Sequence, residues 1–269
     1  MLIVILILVI ICVIYLLSTV VRKDNLEVKS LYGWHYAHRG LHGNGVPENS
    51  MEAFRRAKDR GYGVELDVHL LRDGSVAVIH DSQLLRTTGL SGNVEDLTVD
   101  QLKDCFLEGT MQTIPPFCEV LDLFDGRVPL IIELKAVGGN HAELCHAVCK
   151  LLENYRGVFC LESFDPRCVY WLRRNRPDLI RGQLTENFLK NKKSSFPWIF
   201  KFLLTHQMLN FLVYPDFVAY RYADRNIFTN RLIERIWKVT SVTWTLKNKR
   251  ELDSSVREGR IPIFEGFEP

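Results

Sequence analysis

Two rhythms alternate along the chain beyond its first thirty residues. Short apolar runs rich in Val, Ile, Leu and Phe occur at 35–37, 64–68, 76–79, 130–134, 158–161, 179–184, 217–219, 241–244 and 261–264. Between them, at 50–60, 141–155, 165–175, 230–238 and 249–258, the pattern is helical. The short runs predict strands and the longer ones predict helices. Repeated βα alternation across about 240 residues implies a parallel sheet, and the length suits an α/β fold of the TIM type, a (β/α)8 barrel. Nine runs compete for eight places. Arg72-Asp73-Gly74-Ser75 is a hairpin turn signal, so 76–79 is expected to pair antiparallel with 64–68 as an excursion from the barrel.

The opening of the chain follows neither rhythm. Residues 2–21 contain no charge, Pro or Gly and are dominated by Ile, Leu and Val. Twenty helical residues span about 30 Å, the thickness of the hydrocarbon core. A cleaved signal peptide would have a basic start, a shorter apolar core and a small-residue cleavage site. Here the run begins at residue 2 and ends in Arg22-Lys23, so one N-terminal transmembrane helix is expected. The basic pair on its C-terminal flank places the remaining chain in the cytoplasm. The expected division is an anchor at 1–23, a linker at 24–33 and a barrel at 34–269.

One later stretch also departs from a minimal barrel. Residues 185–215 interleave Lys190, Lys192, Lys193 and Lys201 with Phe188, Phe196, Trp198, Phe200, Phe202 and Phe211. Such a basic-aromatic segment lies on a membrane surface or packs as a helical cap over the barrel mouth.

Composition removes some functions. At 269 residues the net charge is only +2, whereas a nucleic-acid partner calls for a strongly basic domain or stripe. The seven cysteines form no CxxC pair, which argues against zinc. Cys145 and Cys149, with His141 and His146 nearby, read as buried thiols on a helix face.

Four polar clusters stand where the apolar runs end: His38-Arg39-Gly40, Glu65-x-Asp67, His80-Asp81 and Glu133-x-Lys135. An ionised group out of water must be paired or bind a metal, so core packing explains these poorly. Glu65 and Asp67 are two apart on a strand and point to one face. Two adjacent carboxylates repel unless a cation joins them, and Glu133 offers a third. Three hard oxygen ligands suit Mg2+ or Ca2+ better than zinc. His38 and His80 are the acid–base candidates, since imidazole titrates near neutrality. Arg39 can grip a phosphate bidentately and Lys135 offers a point charge. Glu48 and Asn49 precede a helix, with Asn49 or Ser50 as its cap.

These motifs in order — HRG, PEN, ELDV, a DG turn leading into VIHD, then IIELK — resemble the glycerophosphodiester phosphodiesterase family, from about Trp34 to Trp244. The resemblance implies a TIM barrel with an inserted subdomain, here the polar, turn-rich stretch at about 84–117. It also implies one divalent cation on Glu65, Asp67 and Glu133, and catalysis by His38 and His80. Arg39, Lys135 and Trp244 would contact substrate, while Glu48 and Asn49 support the site. The expected reaction is hydrolysis of a glycerophosphodiester to glycerol 3-phosphate and an alcohol, with water or a glycerol hydroxyl as nucleophile. A lysophospholipase D acting on membrane lipid is the alternative within enzymes, and a catalytically inactive membrane scaffold or lipid sensor the alternative outside them. Residues 263–267 depart from the Thr-Asp or Thr-Asn usual in the family after the last strand.

Overall fold

The computed structural model describes residues 1–192 and 196–269. Its centre is a closed barrel of eight parallel strands: β1 (Tyr36–His38), β2 (Gly63–Leu70), β4 (Leu130–Leu134), β5 (Phe159–Ser163), β6 (Arg181–Thr185), β7 (Phe217–Arg221), β8 (Thr240–Leu246) and β9 (Ile261–Phe264). β1 closes the ring by pairing with both β2 and β9. The ninth strand, β3 (Val76–Val78), runs antiparallel to β2 outside the barrel, as the turn at 72–75 predicts.

Strand periodicity sorts the side chains. Val64, Leu66 and Val68 of β2, with Leu130, Ile132 and Leu134 of β4, face outward into a core shared with the surrounding helices. The residues between them, Glu65, Asp67, Ile131 and Glu133, therefore face inward. At one end the barrel interior is filled by Tyr36, Ile131, Phe217, Val242, Ile261 and Leu31. Leu31 belongs to a 3-10 turn, Leu26–Leu31, whose last carbonyl accepts from Tyr36 Oη. That end is apolar, and the carboxylates stand at the other, at the C-terminal ends of the strands.

The helices are α2 (Met51–Asp59), α5 (His141–Leu152), α6 (Pro166–Asn175), α9 (Phe228–Trp237) and α10 (Lys249–Arg257), with the short α3 (Leu85–Thr88) and α8 (Asn210–Val213). α4 (Phe117–Phe124) lies in a stretch without a helical assignment from sequence, and α7 (Trp198–Thr205) lies in the basic-aromatic segment at 185–215. Between β3 and α4, residues Leu84, Val94, Leu102, Leu107 and Ile114 pack with Leu71, Ala77 and Ile79 around a small core of their own. Cys145, Cys149, Cys160 and Cys168 are buried.

α7 sits over the barrel mouth. Leu204 Cα–C=O and Thr205 C=O at its end accept from Thr185 Oγ1 (2.9 Å) and Tyr220 Oη (3.1 Å). Phe188 and Leu204 are buried, whereas Trp198, Phe200 and Phe202 are exposed. Lys193 lies outside the described residues.

The start of the chain corrects an expectation. Helix α1 covers Leu2–Ser18, only 17 residues, which reach about 25 Å at 1.5 Å per residue. At its end hydroxyls bond back to the last carbonyls, Ser18 Oγ to Tyr15 and Thr19 Oγ1 to Leu16. The rest of the apolar run docks on the barrel: Thr19 and Val21 are buried, Trp237 Nε1 donates to Thr19 Oγ1 and Arg22 N–H donates to the Pro215 carbonyl. Among the described residues no helix is long and apolar enough to cross a membrane. The single-pass anchor at 1–23 is not supported, and the cytoplasmic placement inferred from Arg22-Lys23 falls with it. Arg22 instead pairs with Asp24 and approaches Asp216.

Candidate active site

Strand register brings the polar clusters together. His38 lies beside Glu65 across β1 and β2, Asp67 beside Glu133 across β2 and β4, and Glu133 beside Glu162 across β4 and β5. Glu65, Asp67 and Glu133 are all buried, and one carboxylate oxygen from each lies within 4.8 Å of the others. Burial, then the neighbouring carboxylates, push Glu65 well above the usual carboxyl range. Glu133 rises to about 7, chiefly through burial, although Lys135 opposes the rise. Burial acts on Asp67 too, but Lys135, His80 and Arg39 outweigh it and hold Asp67 well below its ordinary value. A buried, oxygen-only donor set in which two members are driven toward neutrality fits a divalent cation.

Two cations already border the trio. Lys135 Nζ stands 2.8 Å from Glu133 Oε1 and 3.1 Å from Asp67 Oδ1. Arg39 Nε is 3.4 Å from Asp67 Oδ2, while its Nη1 donates to Glu48 Oε1 at 3.0 Å. The Arg39 backbone N–H donates to Glu65 Oε2. To do so the chain turns through φ +54° at Arg39 and +78° at Gly40. A Cβ on Gly40 would lie 2.9 Å from the backbone carbon of Ala53, so only glycine fits this turn against α2.

Glu48 and Asn49 bond directly to Arg39 and Asp67. Glu48 also accepts from Arg86 Nη2 and Nη1, so it joins Arg39 to Arg86. Asn49 is buried and donates through Nδ2 to Asp67 Oδ2 at 2.9 Å. The cap of α2 is Ser50, whose hydroxyl accepts from Ala53 N–H.

Both imidazoles are tethered at Nδ1. His38 Nδ1 lies 3.0 Å from Glu265 Oε2, and its Nε2 lies 3.8 Å from Glu65 Oε2. His80 Nδ1 lies 2.6 Å from Asp81 Oδ1, and Arg86 pairs with the same Asp81 carboxylate. Burial lowers His38, and draws His80 down to about 4. A small cavity is lined by His38, Arg39, Glu65, His80, Glu133 and Trp244. Trp244 is fixed as one wall by its Nε1–H bond to the Ala219 carbonyl and by edge-on contact with Phe164, ring centres 5.5 Å apart.

Two carboxylates here were not assigned from sequence. Glu162 is buried on the barrel interior beside Glu133, lines the same cavity, and leaves Oε2 without a hydrogen-bond partner. Its signal was present: like Glu133, it ends an apolar run. Glu265 lies 227 positions from the histidine it touches, and no local pattern predicts that contact.

The sequence profile described as the glycerophosphoryl diester phosphodiesterase family matches residues 38–258. The chain is 42% identical over 237 residues to a glycerophosphodiester phosphodiesterase of Caldanaerobacter subterraneus, covering 83% of this chain and 89% of that one. It spans under half the length of other curated relatives, such as a glycerophosphodiester phosphodiesterase of Bacillus altitudinis (46% identity, 37% of this chain, 43% of the relative) and a lysophospholipase D of Rattus norvegicus (35% identity, 45% of this chain, 41% of the relative). In three dimensions it is similar to an Oleispira antarctica phosphodiesterase solved with the product sn-glycerol-3-phosphate, with a TM-score of 0.72 at 21% identity, covering 88% of this chain and 94% of that one. A profile match over most of the barrel and a relative aligned over nearly its whole length establish that this chain belongs to the glycerophosphoryl diester phosphodiesterase family.

Proposed function

We propose that the chain hydrolyses glycerophosphodiesters to glycerol 3-phosphate and an alcohol, with His38 and His80 moving the protons. The observation carrying this reading is the pair of imidazoles, each tied at Nδ1, lining one small cavity with Glu65 and Glu133 of the buried carboxylate trio. A divalent cation, Mg2+ or Ca2+, held by Glu65, Asp67 and Glu133 would neutralise charge developing on the phosphoryl oxygens. One histidine takes a proton from the attacking oxygen. The other gives a proton to the leaving alcohol oxygen as its bond to phosphorus breaks. Arg39 and Lys135 add positive charge at the phosphate, and Trp244 walls the glycerol.

Release of glycerol 3-phosphate from glycerophosphocholine tests the reading. Each of His38→Ala and His80→Ala should cost on the order of 10²–10⁴ in rate, and the double change much less than the product. Full turnover in excess chelator, or one harmless substitution, would sink it.

A second reading, lysophospholipase D activity, is favoured by one observation. A cavity of about 600 Å³ opens beside Glu133 and Lys135 with apolar walls from Phe164, Phe200, Leu204 and Leu209. A single acyl chain would lie against those side chains while its headgroup phosphate reached the carboxylates. The exposed aromatic residues of α7, Trp198 and Phe202, would then face the lipid aggregate that supplies the substrate. Comparing turnover of lysophosphatidylcholine with that of glycerophosphocholine decides between the two. No release of choline from the lysophospholipid would remove the second reading.

A further inference from the structure

We infer that Glu265 is the positioning residue of His38, holding the ring so that Nε2 faces the carboxylate trio; this rests on His38 being a proton-transfer group. Glu265 is the first residue after β9, and its backbone N–H donates to the Leu246 carbonyl at 2.9 Å. The residue is thus fixed between the last two strands, beside the strand that carries His38. Its Oε2 is 3.0 Å from His38 Nδ1.

An ionised carboxylate has only acceptors to offer, so the proton of a neutral ring is drawn to Nδ1. The lone pair is then on Nε2, which is the nitrogen lying 3.8 Å from Glu65 Oε2 at the site. When Nε2 takes up a proton the ring becomes a cation, and Glu265 is its counterion. Lys247 Nζ, 2.5 Å from Oε2, keeps this carboxylate ionised and in place, and His42 Nε2 lies 3.6 Å from Oε1.

The opposite imidazole has the same construction. Asp81 stands on His80 Nδ1, and Arg86 stands on Asp81 as Lys247 stands on Glu265. His80 obtains its carboxylate from the next residue in the chain. His38 is followed by an arginine turned to other partners, and obtains its carboxylate from the far end of the chain, at the end of the neighbouring strand of the barrel.

The test uses the full chain with glycerophosphocholine and saturating Mg2+. Glu265→Ala should lower kcat about 10–100-fold, the range seen when an orienting partner is removed from a site histidine, with KM changed less than about threefold. Glu265→Gln, which can still accept from Nδ1–H but carries no charge, should fall between Ala and wild type. In protein with ¹⁵N-labelled histidine, the His38 signal should report hydrogen on Nδ1 in the wild type and a tautomer mixture in Glu265→Ala. A mere surface ion pair with Lys247 would leave both readouts unchanged. Wild-type kcat in Glu265→Gln, or an unaltered tautomer with the loss confined to KM, overturns the proposal. Should Glu265→Ala fail to fold, the near-isosteric Gln variant decides alone. His38→Ala separates the two levels: if it keeps full kcat, the proton-transfer reading fails. If it is inactive while both Glu265 variants match wild type, only the positioning role fails.

Discussion

Neutralising Glu65 should separate the cation's contribution to stability from the barrel's own. With donor oxygens no more than 4.8 Å apart and an effective dielectric constant of about 20, each ionised pair repels by about 3.5 kcal/mol. Glu65 faces two such partners, Asp67 and Glu133, whereas Lys135 lies against those two and not against Glu65. Burial and this repulsion explain why Glu65 is pushed well above the usual carboxyl range, so part of the repulsion is relieved by protonation. In Glu65→Gln the amide oxygen can still accept from the Arg39 N–H, and the repulsion is gone. The metal-free variant should therefore be as stable as wild type or more stable, by up to about 3 kcal/mol. Adding Mg2+ or Ca2+ at a hundredfold excess over its Kd should stabilise wild type by about 2.7 kcal/mol, a rise in Tm of roughly 5–11 °C for a domain of this size. Glu65→Gln should lose most of that rise. Thermal melts with and without chelator measure both effects. A variant that is markedly less stable without metal, yet shows the full cation-dependent rise, would refute the electrostatic account.

Three further outcomes follow from other parts of the structure. Gly40→Ala places a side chain at φ +78° and 2.9 Å from the Ala53 backbone, so it should cost roughly 2–5 kcal/mol in denaturant melts and displace His38 and Arg39, lowering kcat. Glu95 bonds His69 Nδ1 at 2.6 Å and Ser82 Oγ at 2.7 Å; burial opposes its ionisation, but these bonds win and hold its pKa below the ordinary value. That stabilisation is present above the unfolded carboxyl pKa and lost as pH falls through the folded one, so Glu95→Gln should be about 1–3 kcal/mol less stable at pH 7 and lose this deficit in acid; a gap independent of pH would contradict it. Phe200→Asp, in the apolar wall beside Glu133 and Lys135, should depress turnover of lysophosphatidylcholine at least tenfold and leave glycerophosphocholine nearly untouched, the discrimination expected for an apolar subsite.

The parts of this molecule readable from sequence are those governed by short-range pattern. The runs at 130–134 and 261–264 coincide with β4 and β9, the first bounded by Pro129 and Lys135 and the second by Arg260 and Glu265. Inward and outward positions on β2 and β4 follow from a two-residue period alone, and that period brings Glu65, Asp67 and Glu133 to one face. What escaped depended on tertiary contact. Hydropathy scored residues 2–21 as one span, yet its end is drawn onto the barrel, where Trp237 donates to Thr19 and the Pro215 carbonyl accepts from the Arg22 N–H that follows. α4 begins at Phe117, straight after Pro115 and Pro116, and is only eight residues long, too short to announce a period among polar neighbours. Strand register decides that Glu162 stands beside Glu133, and the closure of the ring decides that Glu265 meets His38.

Closure has a cost in robustness. β1 is three residues long and meets β9 through only two aligned pairs, Tyr36 with Ile263 and Ala37 with Phe264. His38 sits on one lip of that seam and Glu265 on the other. Opening the seam disturbs few residues, so it demands less free energy than melting the whole barrel. Molecules with a parted seam retain most of their helices and strands but no longer hold both halves of the imidazole–carboxylate pair. On warming, activity should therefore decline ahead of the loss of circular dichroism, with amide hydrogens of β1 exchanging sooner than those of β4.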